Sequence, residues 1–219
     1  MLMTQFRMTN DLDQPANPLF YEGRLVTHFS AHISNRPLAM QILQFLQYEF
    51  NENIRFPRLQ LNVLKGVCCT GAGNSRYNLH NIVVTLWLIE KLLTHCPMLT
   101  LTRITIITQY RAQLRGYERA SEEAAAKSDF WKVHNIHEIK VRTVYSSQGN
   151  ENEAVIFDAV VSIPRHGTLG FLNDIKRQDV ANTRARCFFG MICDVNASYE
   201  HYFLHPQDVE ANEAMLLPI

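Results

Sequence analysis

Three arginines, Arg177, Arg184 and Arg186, crowd one stretch near the carboxyl end of the sequence, and Arg177 and Arg184 stand seven residues apart. On a helix starting near Asp174 that separation is about two turns, which puts both guanidinium groups on one face. A planar guanidinium offers several donors in a fixed fork and never loses its charge, so it suits phosphate oxygens. An arginine-bearing helix taken alone is usually just a solvated face, but three other segments point the same way. Gln148-Gly149-Asn150-Glu151 follows a strand-like stretch ending at Val144, and open α/β sheets place their ligand crevice at strand carboxyl ends. Glycine there lets the backbone approach a phosphate, and Glu151 suits a ribose hydroxyl. Thr108-Gln109-Tyr110-Arg111-Ala112-Gln113 also follows a strand-like run. Gln5-Phe6-Arg7-Met8 sets an aromatic ring beside an arginine, a combination for base stacking and phosphate contact.

Other chemistries are missing from the sequence. No Gly-Lys dipeptide occurs, so the phosphate loop GxxxxGK[ST] is absent, and Gly71-Ala72-Gly73 lacks the third glycine of a dinucleotide fingerprint. HExxH and GxSxG are absent too, and nothing reads as a self-contained hydrolase site. The five cysteines, Cys68, Cys69, Cys96, Cys187 and Cys193, show no CxxC spacing. No metal site is expected from them, and an odd count fits a reducing intracellular compartment, cytoplasmic or nuclear. No run of 18 apolar residues opens the chain, so no membrane contact is expected. Twenty-one basic residues balance 21 acidic ones, so a nucleic-acid grip requires locally concentrated positive charge.

The elements that must position these residues read as alternating helices and strands. Leu38, Ile42, Phe45, Leu46 and Phe50 recur at helical spacing over 37–50, and Ile82, Leu86, Ile89 and Leu93 mark a second helix over 79–95. Tyr110 to Lys127 is helical by propensity, and a fourth helix is expected from Asp174 to Arg186. Strands are expected from Leu59 to Val67 and over 103–108, 139–144, 154–162 and 187–193. Residues 1–34 read as irregular, with a turn at Phe20-Tyr21-Glu22-Gly23. Near-continuous apolar strands between helices imply a parallel sheet covered on both faces. The expected division is a junction segment over 1–54, one α/β domain over 55–200 and a tail over 201–219.

Together these segments resemble the second RecA-like domain of superfamily 1 helicases of the up-frameshift type. Gln5-Phe6-Arg7-Met8 is similar to the family's QYRM segment and Phe20-Tyr21-Glu22-Gly23 to its FYEG turn. Thr108, Tyr110, Arg111, Ala112 and Gln113 match its motif IV, TPYRAQ. Val141 to Glu151 resembles motif V, and Gly170 to Asp174 with Arg177 to Arg186 resembles motif VI. The order is that of the family, and the similarity runs from residue 5 to about 194.

The resemblance implies a three-layer, RecA-like α/β fold of the P-loop NTPase type with a mainly parallel sheet. It implies catalytic roles at the terminal phosphate for Arg184, as arginine finger, and for Arg7. Nucleotide contacts are implied for Phe6, Gln148, Gly149, Glu151 and Arg177, and nucleic-acid contacts for Thr143 and the Tyr110 region. ATP with Mg²⁺ is implied, held mostly by a first RecA-like domain that would precede Gln5, and the partner is single-stranded RNA or DNA. The chain alone is therefore expected to be inactive. Several residues depart from the family pattern. Phe6 replaces a tyrosine, Tyr145 and Ser147 replace an aspartate and a phenylalanine of motif V, and Gln178, Asp179 and Asn182 replace leucine, asparagine and leucine of motif VI. These departures sustain an alternative: a non-catalytic, degenerate helicase-like module that binds nucleic acid or protein.

Overall fold

The computed structural model describes residues 3–10, 12–13, 16–63, 66–161 and 175–194. Its strands are β1 (Thr4–Gln5), β2 (Val26–Thr27), β3 (Arg58–Asn62), β4 (Cys69–Thr70), β5 (Arg76–Tyr77), β6 (Ile104–Thr108), β7 (Lys140–Thr143), β8 (Asn152–Asp158) and β9 (Ala185–Cys193). Its α-helices are α1 (Ala16–Tyr21), α2 (Pro37–Glu49), α3 (Leu79–His95), α4 (Arg111–Lys127), α5 (Asp129–His134) and α6 (Ile175–Asn182). Five strands form the main sheet in the order β3-β9-β8-β6-β7, every neighbouring pair parallel.

Period-two alternation divides the central strands between two apolar layers. Ile104, Ile106, Ala154, Ile156, Phe188 and Ile192 enter a core built with Leu38, Ile42 and Leu46 of α2 and Ile82, Ile89 and Leu92 of α3. Ile107, Val155, Phe157, Phe189, Met191 and Cys193 face the opposite way, against Met8, Leu12 and Ala181. The result is an α/β/α sandwich, the three-layer RecA-like class the sequence implied. Helix α2 lies before the expected boundary at residue 54 yet shares the first core, and Met8 and Leu12 cover the second. The described residues before 55 thus contribute to both cores of the α/β unit, and that boundary separates motifs rather than cores.

Several local expectations are corrected. The segment over 1–34 is not irregular: β1 pairs in parallel with β2, and α1 lies between them, ending in the Phe20-Tyr21 pair. The strand expected to run from Leu59 to Val67 stops at Asn62, and Cys69–Thr70 pairs instead with Arg76–Tyr77 in a separate hairpin. On α3 the buried face holds Thr85 and Leu88, and Leu86 is only partly buried. The expected fourth helix ends at Asn182, so Arg184 lies beyond it and Arg186 lies inside β9. Parallel pairing of Ala185 with Asn152 starts β9 there and overrides helical propensity. The expected loop at Pro164 and Gly167 and the tail over 201–219 lie outside the described residues.

Ile106 is fully buried in β6, which is paired on both sides, with β8 and β7. Ile106→Ala is expected to cost ~2–5 kcal/mol, from the forfeited transfer energy and the cavity left behind. The urea midpoint of the chain measures it, and an unchanged midpoint would contradict the packing described.

Candidate functional site

Helix α6 is finished by side chains. The Thr183 hydroxyl donates to the Asp179 carbonyl at 2.8 Å, and Arg184 Nε donates to the Val180 carbonyl at 2.8 Å. The Asp179 carbonyl also accepts from the Thr183 backbone N–H at 3.0 Å, and the guanidinium meets a carbonyl of the last turn, where a helix runs out of backbone donors. The anchoring fixes the Arg184 side chain by its Nε and leaves the far edge of the fork for other acceptors. Nη2 reaches Thr183 Oγ1 at 3.0 Å, and Nη1 lies 3.5 Å from the Asn150 carbonyl of the segment before β8.

Arg7 arrives from the opposite end of the sequence. The side-chain carbonyl of Gln5 accepts from the Arg7 and Met8 backbone N–H groups at 2.9 and 2.8 Å, a local turn that aims the arginine. Arg7 Nε donates to Glu151 Oε2, and Nη1 donates to the Thr183 carbonyl at 3.1 Å. Arg7 and Arg184 therefore flank the same residue, Thr183. Burial lowers the pKa of Arg184, and the charge of Arg7 lowers it further, while Asp179, Glu151 and Tyr21 oppose the shift. Burial also raises Tyr21 and Asp179; Asp179 raises Tyr21 further, and Arg184 lowers both. Two half-exposed guanidinium groups held side by side repel each other, and a multivalent anion between them relieves that repulsion.

The segments QFRM, FYEG, motif V and motif VI are thus joined in one cluster: Arg7, Tyr21, Glu151, Asp179 and Arg184. Sequence reasoning missed Tyr21 as a site residue, although its place in the FYEG turn was the available signal. Phe6, 58% exposed, offers its ring beside the cluster, with His28 at a centroid distance of 4.4 Å. Gly149 has φ +79°, a conformation that favours glycine, and is exposed beside Gln148. Arg177 lies within α6, and its side chain falls outside what the structure describes. Arg186 lies within β9 and pairs with Glu153 at 3.6 Å and with Glu151 at 3.9 Å rather than standing as a third helical arginine.

One positional expectation is overturned. Glu151 immediately precedes β8 and Arg184 immediately precedes β9, so the cluster sits at the amino ends of the parallel strands. The chain leaves the carboxyl end of β7 at Thr143 and returns through 144–151 to the amino end of β8, carrying Gln148–Glu151 with it. Thr143 and Tyr110 stay at the carboxyl ends of β7 and β6. Tyr110 is only 4% exposed, beneath Arg76 with the guanidinium 6.0 Å from its ring, so that position offers no open stacking face. The two candidate sites therefore occupy opposite ends of one sheet, linked by the short segment between Thr143 and Glu151. Among the described residues no group of three or more His, Cys, Asp or Glu side chains could hold a metal ion. No helix among them is long and apolar enough to cross a membrane.

Comparison with known proteins identifies relatives of the chain. Residues 1–196 match the family model AAA_12, described as an AAA domain. The chain is 30% identical over 187 residues to helicase sen1 of Schizosaccharomyces pombe, covering 85% of this chain and 10% of that protein. It is 31% identical over 189 residues to the uncharacterized ATP-dependent helicase MJ0104 of Methanocaldococcus jannaschii, covering 85% of this chain and 25% of that one. Among solved structures, the C-terminal domain of a possible DNA helicase from Lactobacillus (strain WCFS1) aligns over 80% of this chain and 96% of its own, with TM-score 0.36 and 9% identity. The chain thus spans a quarter or less of the two curated relatives.

Proposed function

The chain belongs to the AAA_12 family, the C-terminal region of superfamily 1 helicases of the up-frameshift type, and from that membership we propose that it is the arginine-finger half of an ATP-driven helicase motor. The observation that carries the reading is the meeting of Arg7 and Arg184 on Thr183, from positions 177 residues apart in the sequence. ATP enters as substrate between this domain and a first RecA-like domain that supplies the phosphate loop and holds the Mg²⁺. Arg184 and Arg7 then donate to the phosphoryl group as charge develops on it, Phe6 stacks on the base, and the Gly149 backbone and Glu151 approach the sugar and phosphates. An exposed ion pair such as Arg7–Glu151 is worth only ~0–1 kcal/mol, so a multiply charged phosphate exchanges it readily. Freed Glu151 then turns to a ribose hydroxyl.

At the other end of the sheet, Thr143 meets single-stranded RNA or DNA, and closure on ATP moves that grip through residues 144–151. RNA is favoured by the family resemblance. An intracellular site, cytoplasmic or nuclear, follows from such a substrate.

The isolated chain is expected to hydrolyse no ATP, because the positioned lysine and glycine loop of phosphoryl transfer are not in it. Joined to a first RecA-like domain, it is expected to turn over ATP with stimulation by single-stranded nucleic acid. Turnover by the chain alone would contradict this division of labour. A second reading, the degenerate module, draws on Asp179, whose half-buried carboxyl lies against Arg184 where the family carries an asparagine. An inactive joined motor that regains activity on reverting Tyr145, Ser147 and Asp179 to the family residues would favour it.

A further inference from the structure

Arg111, Arg115 and Arg119 recur every four residues along one face of α4, and all three are exposed. At 1.5 Å per residue the row runs ~12 Å, with neighbouring Cα atoms ~6 Å apart along the axis. None of the three enters an ion pair among the described residues, whereas nearby Lys127 pairs with Glu123 and Lys91 with Glu49. Like charges at this spacing destabilise a bare helix, so the row is a run of positive charge in a chain whose total charge is zero, on a helix that also carries Glu118, Glu122 and Glu123.

The row lines a groove of about 1500 Å³ between α4, α3 and the β4–β5 hairpin. Small-molecule sites commonly occupy ~300–1,000 Å³, so the groove is large and open enough for a polymer. Thr143 and Tyr145 stand at one end of it, and Tyr145 is 65% exposed. An aromatic face beside a run of guanidinium groups is the pairing that holds single strands, by stacking and backbone neutralisation together. Glu90 and Glu123 also line the groove, but Glu123 is engaged by Lys127.

Gly116, between the second and third arginines, lets this face approach α3. A Cβ there would stand 2.7 Å from Ile82 Cδ1, so packing fixes the helix that presents the row.

We propose that the α4 groove is a backbone track for single-stranded nucleic acid, entered past Thr143 and Tyr145 and continued along Arg111, Arg115 and Arg119. The track extends the nucleic-acid grip of the proposed helicase motor and rests on that reading. Its ligand is a phosphodiester strand of either sugar, held by charge rather than by sequence.

The test is fluorescence anisotropy of labelled oligouridylate and oligothymidylate with the 219-residue chain and its Arg115→Gln/Arg119→Gln variant. Both positions are exposed on a helix, so circular dichroism and melting should be unchanged. The expected result is binding weakened about tenfold or more at low salt. The slope of log affinity against log salt should also fall by about 1.4, at roughly 0.7 for each phosphate no longer neutralised. Equal affinity and equal slope in parent and variant would overturn the track while leaving the motor reading intact. If polyglutamate binds in the oligonucleotides' place and the variant does not bind it, the groove takes an acidic protein segment, and the proposal is overturned in that direction. Absence of oligonucleotide binding by the parent chain would overturn both the track and the Thr143 grip, whereas the ATPase assay of the joined motor tests the nucleotide site separately.

Discussion

Arg184→Lys, placed in a motor completed by a first RecA-like domain, lowers kcat by ~10³-fold or more and leaves nucleic-acid affinity nearly unchanged. Arg184 does two things at once: its Nε completes the end of α6 at the Val180 carbonyl, and its terminal nitrogens face Thr183 and the Asn150 carbonyl. Lysine keeps the charge but has one nitrogen, so it cannot hold the helix end and present a fork to phosphate together. Affinity for nucleic acid is spared because Thr143 lies at the opposite end of the sheet. Arg186→Lys is the control. On a continuous helix only an angle around the axis would separate Arg186 from Arg184; the structure places Arg186 in β9, where it pairs with Glu153 at 3.6 Å and reaches Glu151 at 3.9 Å, a longer hold on that carboxylate than Arg7 has. Steady-state ATPase rates of the two variants make the comparison. Equal rates in both variants and parent would remove Arg184 from the site.

Asp158→Ala destabilises the chain by about 3–5 kcal/mol, because it strips a buried carboxylate from the donors aimed at it. Asp158 ends β8, fully buried. It accepts from Asn81 Nδ2 at 2.7 Å, Tyr117 Oη at 2.8 Å, the Val160 N–H at 2.9 Å and Gln113 Nε2. Those donors come from α3, α4 and the chain beyond β8, so one carboxylate ties together both walls of the α4 groove. Gln113 also binds the Asn78 backbone, and Asn78 caps α3 through the N–H groups of His80 and Asn81. Urea midpoints of the purified chain read the effect.

The pH dependence follows from the same cage. Burial raises the Asp158 pKa, and its four hydrogen bonds only partly offset that. A carboxyl raised on folding contributes its full stability below the ordinary value of ~3.9 and loses it as pH climbs through the folded value. The stability advantage of the parent over Asp158→Asn is therefore greatest in acid and shrinks as pH rises. An advantage that grows with pH would contradict the direction.

Where local pattern and tertiary pairing agree, the residues announce the fold. The span of α3 and the buried run of β6 are legible because apolar periodicity, cap and strand propensity coincide there. The arginine cluster was legible by type but not by place. Arg7, Glu151 and Arg184 could be named from motif order, yet their position at the strand amino ends depends on the return path of 144–151, which has no periodic signature. The end of α6 was illegible for a related reason, since Ala185 is decided by its partner in β8 rather than by its neighbours. Two-residue strands such as β1 and β4 are shorter than any period that could reveal them. Asp158 passed unnoticed because a single aspartate after an apolar strand reads as the strand's end. Only the fold brings Asn81, Gln113 and Tyr117 to it.

The most direct measurement is a crystal structure of the joined motor with ADP and aluminium fluoride, a mimic of the transferring phosphoryl group. Arg7 and Arg184 should both donate to the fluoride at ~2.7–3.1 Å, Arg7 should have left Glu151, and the Phe6 ring should lie over the base. A structure in which Arg7 still holds Glu151, and neither arginine donates to the nucleotide, would contradict this placement.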